Sequence, residues 1–136
     1  WNLIQLIKTL LQKGPNMGAR CTFVFKQSED HAVALYSHFG EYTMHEDLAA
    51  ALQHALPRIQ MNDAPYATRM AISYLIQDEA LSETGFGIYA CDPSDQAFMD
   101  NPITIDFTDG MVGNGENWHS IVDFIRYHGL VASATS

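Results

Sequence analysis

Two pairs of short runs rich in β-branched and aromatic residues bracket a long stretch with helical periodicity, and this grouping constrains the chain more than any other feature. Cys-Thr-Phe-Val-Phe-Lys at 21–26 and the run at 31–36 flank the polar connection Gln27-Ser28-Glu29-Asp30, which predicts an antiparallel hairpin. Residues 86–91 and 103–107 predict two further strands, joined by a loop containing Asp92-Pro93-Ser94-Asp95 and Asp100-Asn101-Pro102. Between the pairs, Thr43-Met44-His45-Glu46 has the Thr-x-x-Glu spacing of a capping box. The helix it predicts carries Met44, Leu48, Ala51, Leu52, Ala55 and Leu56 on one face, and Pro57 marks its end. Asp63-Ala64-Pro65 predicts the start of a second helix, with Ala67, Met70, Ala71, Tyr74 and Leu75 inward and an end before Gly85. Asn117 is the expected cap of a last helix that buries Trp118, Ile121, Val122, Phe124 and Ile125, with Gly129 just past its end. At the other end of the chain, Leu3, Ile4, Ile7, Leu10 and Leu11 form an apolar helical stripe that Gly14-Pro15 stops. The expected fold is therefore α+β: an N-terminal helix followed by ββααββα, with an antiparallel four-stranded sheet covered on one face by helices.

A chain of 136 residues with 47% hydrophobic and 17% charged residues suits one globular domain. Residues 17–136 are expected to form it. Residues 1–16 are expected to be a helical extension, because Met17-Gly18-Ala19-Arg20 resembles a natural start. Lys13-Gly14 must also be encoded by AAR-GGN codons, which contain a ribosome-binding element of AAGG type. The apolar stripe at 1–13 needs cover, which predicts a homodimer. No apolar stretch approaches the roughly 20 residues of a membrane span, and no cleavable signal pattern precedes the domain, so a soluble cytoplasmic protein is expected. Cys21 and Cys91 match no Cys-x-x-Cys pattern and are expected to be buried thiols.

Charge divides the chain. Residues 1–69 carry six Lys/Arg against six Asp/Glu, whereas residues 70–136 carry only Arg126 against ten acids, so the whole net charge of −9 lies in the second half. Such a surface repels nucleic-acid phosphates and attracts a basic partner. The expectation is an acidic interaction module that engages a basic host protein, in the manner of a DNA mimic, with no direct nucleic-acid contact.

The chemical motifs fail on spacing. On the expected helices, His45 and His54, like His119 and His128, stand nine residues apart, a rotation of about 900° that points them in opposite directions. His31 and His38 are seven apart along one strand and face opposite sides. Only a site assembled across elements, such as His38 with His45 or His119, remains open to a metal. Asp106, Asp109-Gly110 and Glu116 imitate a calcium loop, but alignment places Ile105 and Phe107 at ligand positions. Gly113-Asn114-Gly115 lacks a following lysine and lies between acids, which makes it a turn rather than a phosphate cradle. Asp92 beside Cys91 disfavours a reactive thiolate. No metal and no cofactor are therefore expected.

The densest group of aromatic and polar side chains is Leu35-Tyr36-Ser37-His38-Phe39-Gly40-Glu41-Tyr42. Tyr36, His38, Phe39 and Tyr42 are the expected binding residues. An alternative reading is a small hydrolase or transferase with His38 and Glu41 as its catalytic groups. The motif Met17-Gly18-Ala19-Arg20-Cys21-Thr22, followed by Tyr36-Ser37-His38-Phe39-Gly40 and Tyr42, resembles small proteins of unknown function from phages and mobile bacterial DNA. Phe39 and Thr43 stand where those proteins carry Trp and Pro. The resemblance covers residues 17–56 and implies an accessory-gene setting, with no activity attached.

Overall fold

The computed structural model describes residues 3–4, 20–40 and 43–135, with side chains through residue 129. The elements are β1 (Cys21–Lys26), β2 (Ala32–Ser37), α1 (Met44–Gln60), α2 (Ala64–Leu75), β3 (Phe86–Cys91), β4 (Pro102–Asp106), β5 (Met111–Asn114), β6 (Asn117–Ser120) and α3 (Ile121–Thr135). The α+β class holds, but the sheet has six strands in the order β3-β2-β1-β4-β5-β6 rather than four. It is also mixed, because β1 and β4 pair in parallel while the other pairs are antiparallel.

The parallel pair follows from the route of residues 92–101. The chain leaves β3 at one edge, crosses the sheet and enters β4 on the far side of β1. Gln96 Nε2 donates to Thr104 Oγ1 at 2.8 Å and Asn101 Nδ2 to the Arg20 carbonyl at 2.9 Å. Thr104 alternates with Ile103 and Ile105, which belong to the helix-covered core, so this loop lies on the opposite face, the face of Val24 and Ala34. Lys26 and Asp106 pair on that face at 3.5 Å. Desolvation lowers the Lys26 pKa, but Asp106 and Glu29 outweigh it and leave the ammonium above its usual value.

The other face is the core. Phe23, Phe25, Leu35, Ile103, Ile105 and Val112 point into it from the strands, and Leu48, Leu52 and Ala55 meet them from α1. The helix α1 packs against both α2 and α3. Pro57 does not end α1, which continues to Gln60. Proline's fixed φ is helical and its missing N–H removes a single bond, a loss that the last turn tolerates. The capping box does not form: Thr43 Oγ1 donates to Asp47 Oδ2 at 2.8 Å, and the Thr43 side chain makes no cap bond. Asp63 does cap α2, accepting from the Tyr66 N–H at 3.4 Å.

The largest correction concerns residues 111–120. Asn117 starts a strand rather than a helix, and Ser120 caps α3 by accepting from the Asp123 N–H at 3.1 Å. Gly113 lies inside β5, and Gly115 with Glu116 forms the two-residue turn of a β5–β6 hairpin. Gly115 has φ of 59° while Glu116 stays at negative φ, the pattern of a type II′ turn. Gly129 does not terminate α3, because it lacks the left-handed φ of a helix stop and the helix runs on to Thr135.

The residue 1–13 helix, and the homodimer expected of it, lie outside the described residues except for Leu3 and Ile4, which are helical and exposed. Cys21 is buried, Cys91 is half-buried, and no disulfide joins them. Among the described residues no helix is long and apolar enough to cross a membrane.

Candidate functional site

Register decides where the chemistry collects. Val112 pairs with His119 and Asn114 with Asn117, so His119, Asn114 and Asn117 share the core-facing side of the β5–β6 hairpin. The helix α3 descends over that hairpin and places Phe124 and His128, four residues apart, on one side. His45 approaches from the first turn of α1. These elements border an open-mouthed cavity of about 740 Å³, on which His45, Asn114, Asn117 and His119 are solvent-exposed. Ile103, Val112 and Phe124 supply its buried apolar lining, and Asn114, Asn117 and Asp123 its amide and carboxylate groups. His45, His119 and His128 all face it, and no lysine or arginine is among the described residues that line it.

The rings form an ordered stack. His45 and His128 lie 5.2 Å apart between centroids at 25°, Phe124 sits 4.5 Å from His128, and Tyr127 meets His128 edge-on at 4.9 Å. Imidazole lone pairs lie in the ring plane, so two stacked rings do not aim at one shared ion. Among the described residues no group of three or more His, Cys, Asp or Glu side chains could hold a metal. Burial pushes the His128 pKa below its ordinary value of 6.5, with His45 and His119 acting in the same direction and Glu46 opposing them.

A His128 pKa below its unfolded value has a signed consequence. Above the unfolded pKa both states are neutral there and no stability is lost. Between the two values the unfolded chain takes up a proton that the folded chain refuses. Stability is therefore expected to fall as pH drops through and below the ordinary histidine value of 6.5, and His128→Gln should flatten that decline. Denaturant unfolding across this range checks it; parallel curves for the two proteins would show that His128 contributes nothing.

The expected cluster at residues 36–42 is built differently. His38 is exposed, and its Nδ1 stands 2.9 Å from the Tyr36 hydroxyl. Phe39 lies edge-on to His38 and to Phe86, and its ring covers Gly85, where a side chain would strike it at 2.9 Å. Ser37 ties down the turn by accepting from the Phe39 N–H at 3.1 Å. His38 therefore touches both Tyr36 and Phe39, whereas Tyr42 and Glu41 lie outside the described residues. His38 is not among the residues lining the large cavity.

Sequence reasoning missed the cavity because it placed His119 on a helix with His128. The signal was present: Asn114-Gly115-Glu116-Asn117 fits a two-residue Gly-X hairpin turn, and a strand after it puts His119 on the same face as Val112. No protein family, curated protein or solved structure matches this chain.

Proposed function

We propose that this domain binds a neutral, planar heteroaromatic small molecule in the histidine-lined cavity. The observation that carries the reading is the convergence of His45, His119 and His128, from three separate elements, on one cavity of about 740 Å³. That volume lies within the range of small-molecule sites. Stacked imidazoles and Phe124 offer flat faces, while Asn114 and Asn117 offer donors and acceptors at the rim. Among the described residues an anion would meet no lysine or arginine there and would face Asp123, which disfavours phosphorylated or carboxylated ligands.

A thermal-shift screen of uncharged heteroaromatic compounds, set beside their phosphorylated forms, tests this reading. Uncharged members should raise the melting temperature, and His119→Ala and Asn117→Ala should each weaken binding by about tenfold or more. A panel that shifts nothing, or shifts both variants as it shifts the parent, removes the proposal.

A second reading, the acidic interaction module for a basic host protein, is favoured by a separate observation. The loop at residues 92–101 carries exposed Asp92, Asp95 and Asp100 with no lysine or arginine, and between the last two acids Phe98 is 97% exposed. An aromatic anchor amid uncompensated acids suits a basic surface.

A further inference from the structure

The sheet ends on two unlike edges. β6 is four residues long and runs straight into α3, whereas β3 is six residues, Phe-Gly-Ile-Tyr-Ala-Cys, with no charge and no proline. Natural edge strands are commonly blunted by lysine, proline, a bulge or short length, and β3 has none of these devices: its pairing with β2 is continuous from Phe86 to Cys91. Ile88 is 58% exposed and Tyr89 is 42% exposed.

The outward backbone groups can be assigned. The His38 N–H donates to the Gly85 carbonyl at 2.8 Å, which makes positions 38 and 85 a hydrogen-bonded pair. Antiparallel pairs alternate, so Gly87, Tyr89 and Cys91 bond to β2 while Phe86, Ile88 and Ala90 turn their N–H and C=O groups outward, where no described strand pairs with them. Around that edge the charge is negative. Glu83 precedes the strand, and Asp92, Asp95 and Asp100 follow it, all four exposed. Desolvation raises the Tyr89 pKa, and the charges of Cys91 and Asp100 add to it.

We propose that β3 is a docking edge for an extended segment of a basic partner protein, which adds as a seventh strand with Lys/Arg residues flanking its core. This rests on the acidic-module reading and gives it a mode: outward N–H and C=O groups supply the pairing, and the surrounding carboxylates select the partner. A second copy of the chain fits worse. Antiparallel β3–β3 pairing would set Glu83 of one copy against Asp92 and Asp95 of the other, and each copy carries a net charge of −9.

The probe is a synthetic peptide of about ten residues, alternating valine and threonine between paired arginines, compared with its glutamate-flanked counterpart. With the full chain, the arginine peptide should slow hydrogen exchange of the Phe86, Ile88 and Ala90 amides by about tenfold or more, less so as salt rises. The glutamate peptide should not. Ile88→Pro removes an outward N–H without breaking the β2 ladder and should abolish the protection. If that variant loses its circular-dichroism signal, Ala90→Pro removes another outward N–H and serves the same purpose. Salt-sensitive binding that leaves these amides unprotected overturns the edge while the acidic reading survives. Equal protection by both peptides overturns the basic partner while the edge survives, and no binding by either overturns both. Protection without peptide, accompanied by a dimer in ultracentrifugation that Ile88→Pro dissolves, makes a second copy the occupant and overturns the proposal.

Discussion

Gly113→Ala is expected to destabilise the domain by about 3 kcal/mol, because the new methyl group would meet backbone rather than a side chain able to move. A Cβ at this position falls 2.2 Å from the Asn117 carbonyl oxygen and 2.8 Å from Trp118 Cα, on the strand paired with it. Trp118 is itself held over Gly113 by the bond from its Nε1 to the Gly115 carbonyl at 2.6 Å. Relief therefore requires β5 and β6 to part, which breaks the register that presents Asn114, Asn117 and His119 to the cavity. Thermal unfolding should show a midpoint lower by about 10 °C. Gly87 is the control: no atom lies within 4 Å of a Cβ added there, and its φ is not left-handed. Gly87→Ala should be neutral or stabilising by up to about 1 kcal/mol, through the loss of unfolded-state freedom. Equal midpoints for the two variants would contradict the close approach at Gly113.

Phe25→Ala is expected to cost about 3–5 kcal/mol. Phe25 is fully buried in β1, paired with Val33 on one side and Ile105 on the other, and its ring stacks on Phe107 at 6.2 Å. Phe107 is only half-buried in the β4–β5 connection, so it can move partway into the space, which favours the lower part of that range. Domains are stable by about 5–15 kcal/mol in all, so the variant should still fold, but marginally. Phe25 lies on β1, with β4 between it and the β5–β6 hairpin, and does not line the cavity. Below its melting point the variant should therefore keep the ligand response of the parent. A loss below about 1 kcal/mol in denaturant unfolding would mean that the Phe25 pocket is not packed as described.

What could be read from sequence followed local periodicity. The strands β1 and β3, the inward face of α1 and the Asp63 cap of α2 all came from patterns within a few residues, where side-chain alternation and capping chemistry act. Strand order did not. Nothing in residues 92–101 states that the chain crosses to the far side of β1, because that choice depends on which edge the completed hairpin leaves to be paired. The β5–β6 hairpin was lost to a competing signal. Asn117 and the apolar residues after it imitate a capped helix, and the real cap, Ser120, stands three positions on. That single misreading turned His119 away from His128 and hid the cavity. The Tyr36-His38-Phe39 group was legible because β2 runs directly into it, and the structure builds it on the Ser37 turn and the Phe39–Phe86 contact.

The central claim is that three of the six histidines serve one ligand site, and the measurement that tests it most directly is imidazole NMR of the full chain during titration with an uncharged heteroaromatic compound selected by the thermal screen. The account predicts that the ring signals of His45, His119 and His128 move together and saturate at one concentration, while those of His31, His38 and His54 stay in place. Movement of His38 alone would return the site to the β2 turn, and a response with no signal from His119 or His128 would contradict the cavity as the binding site.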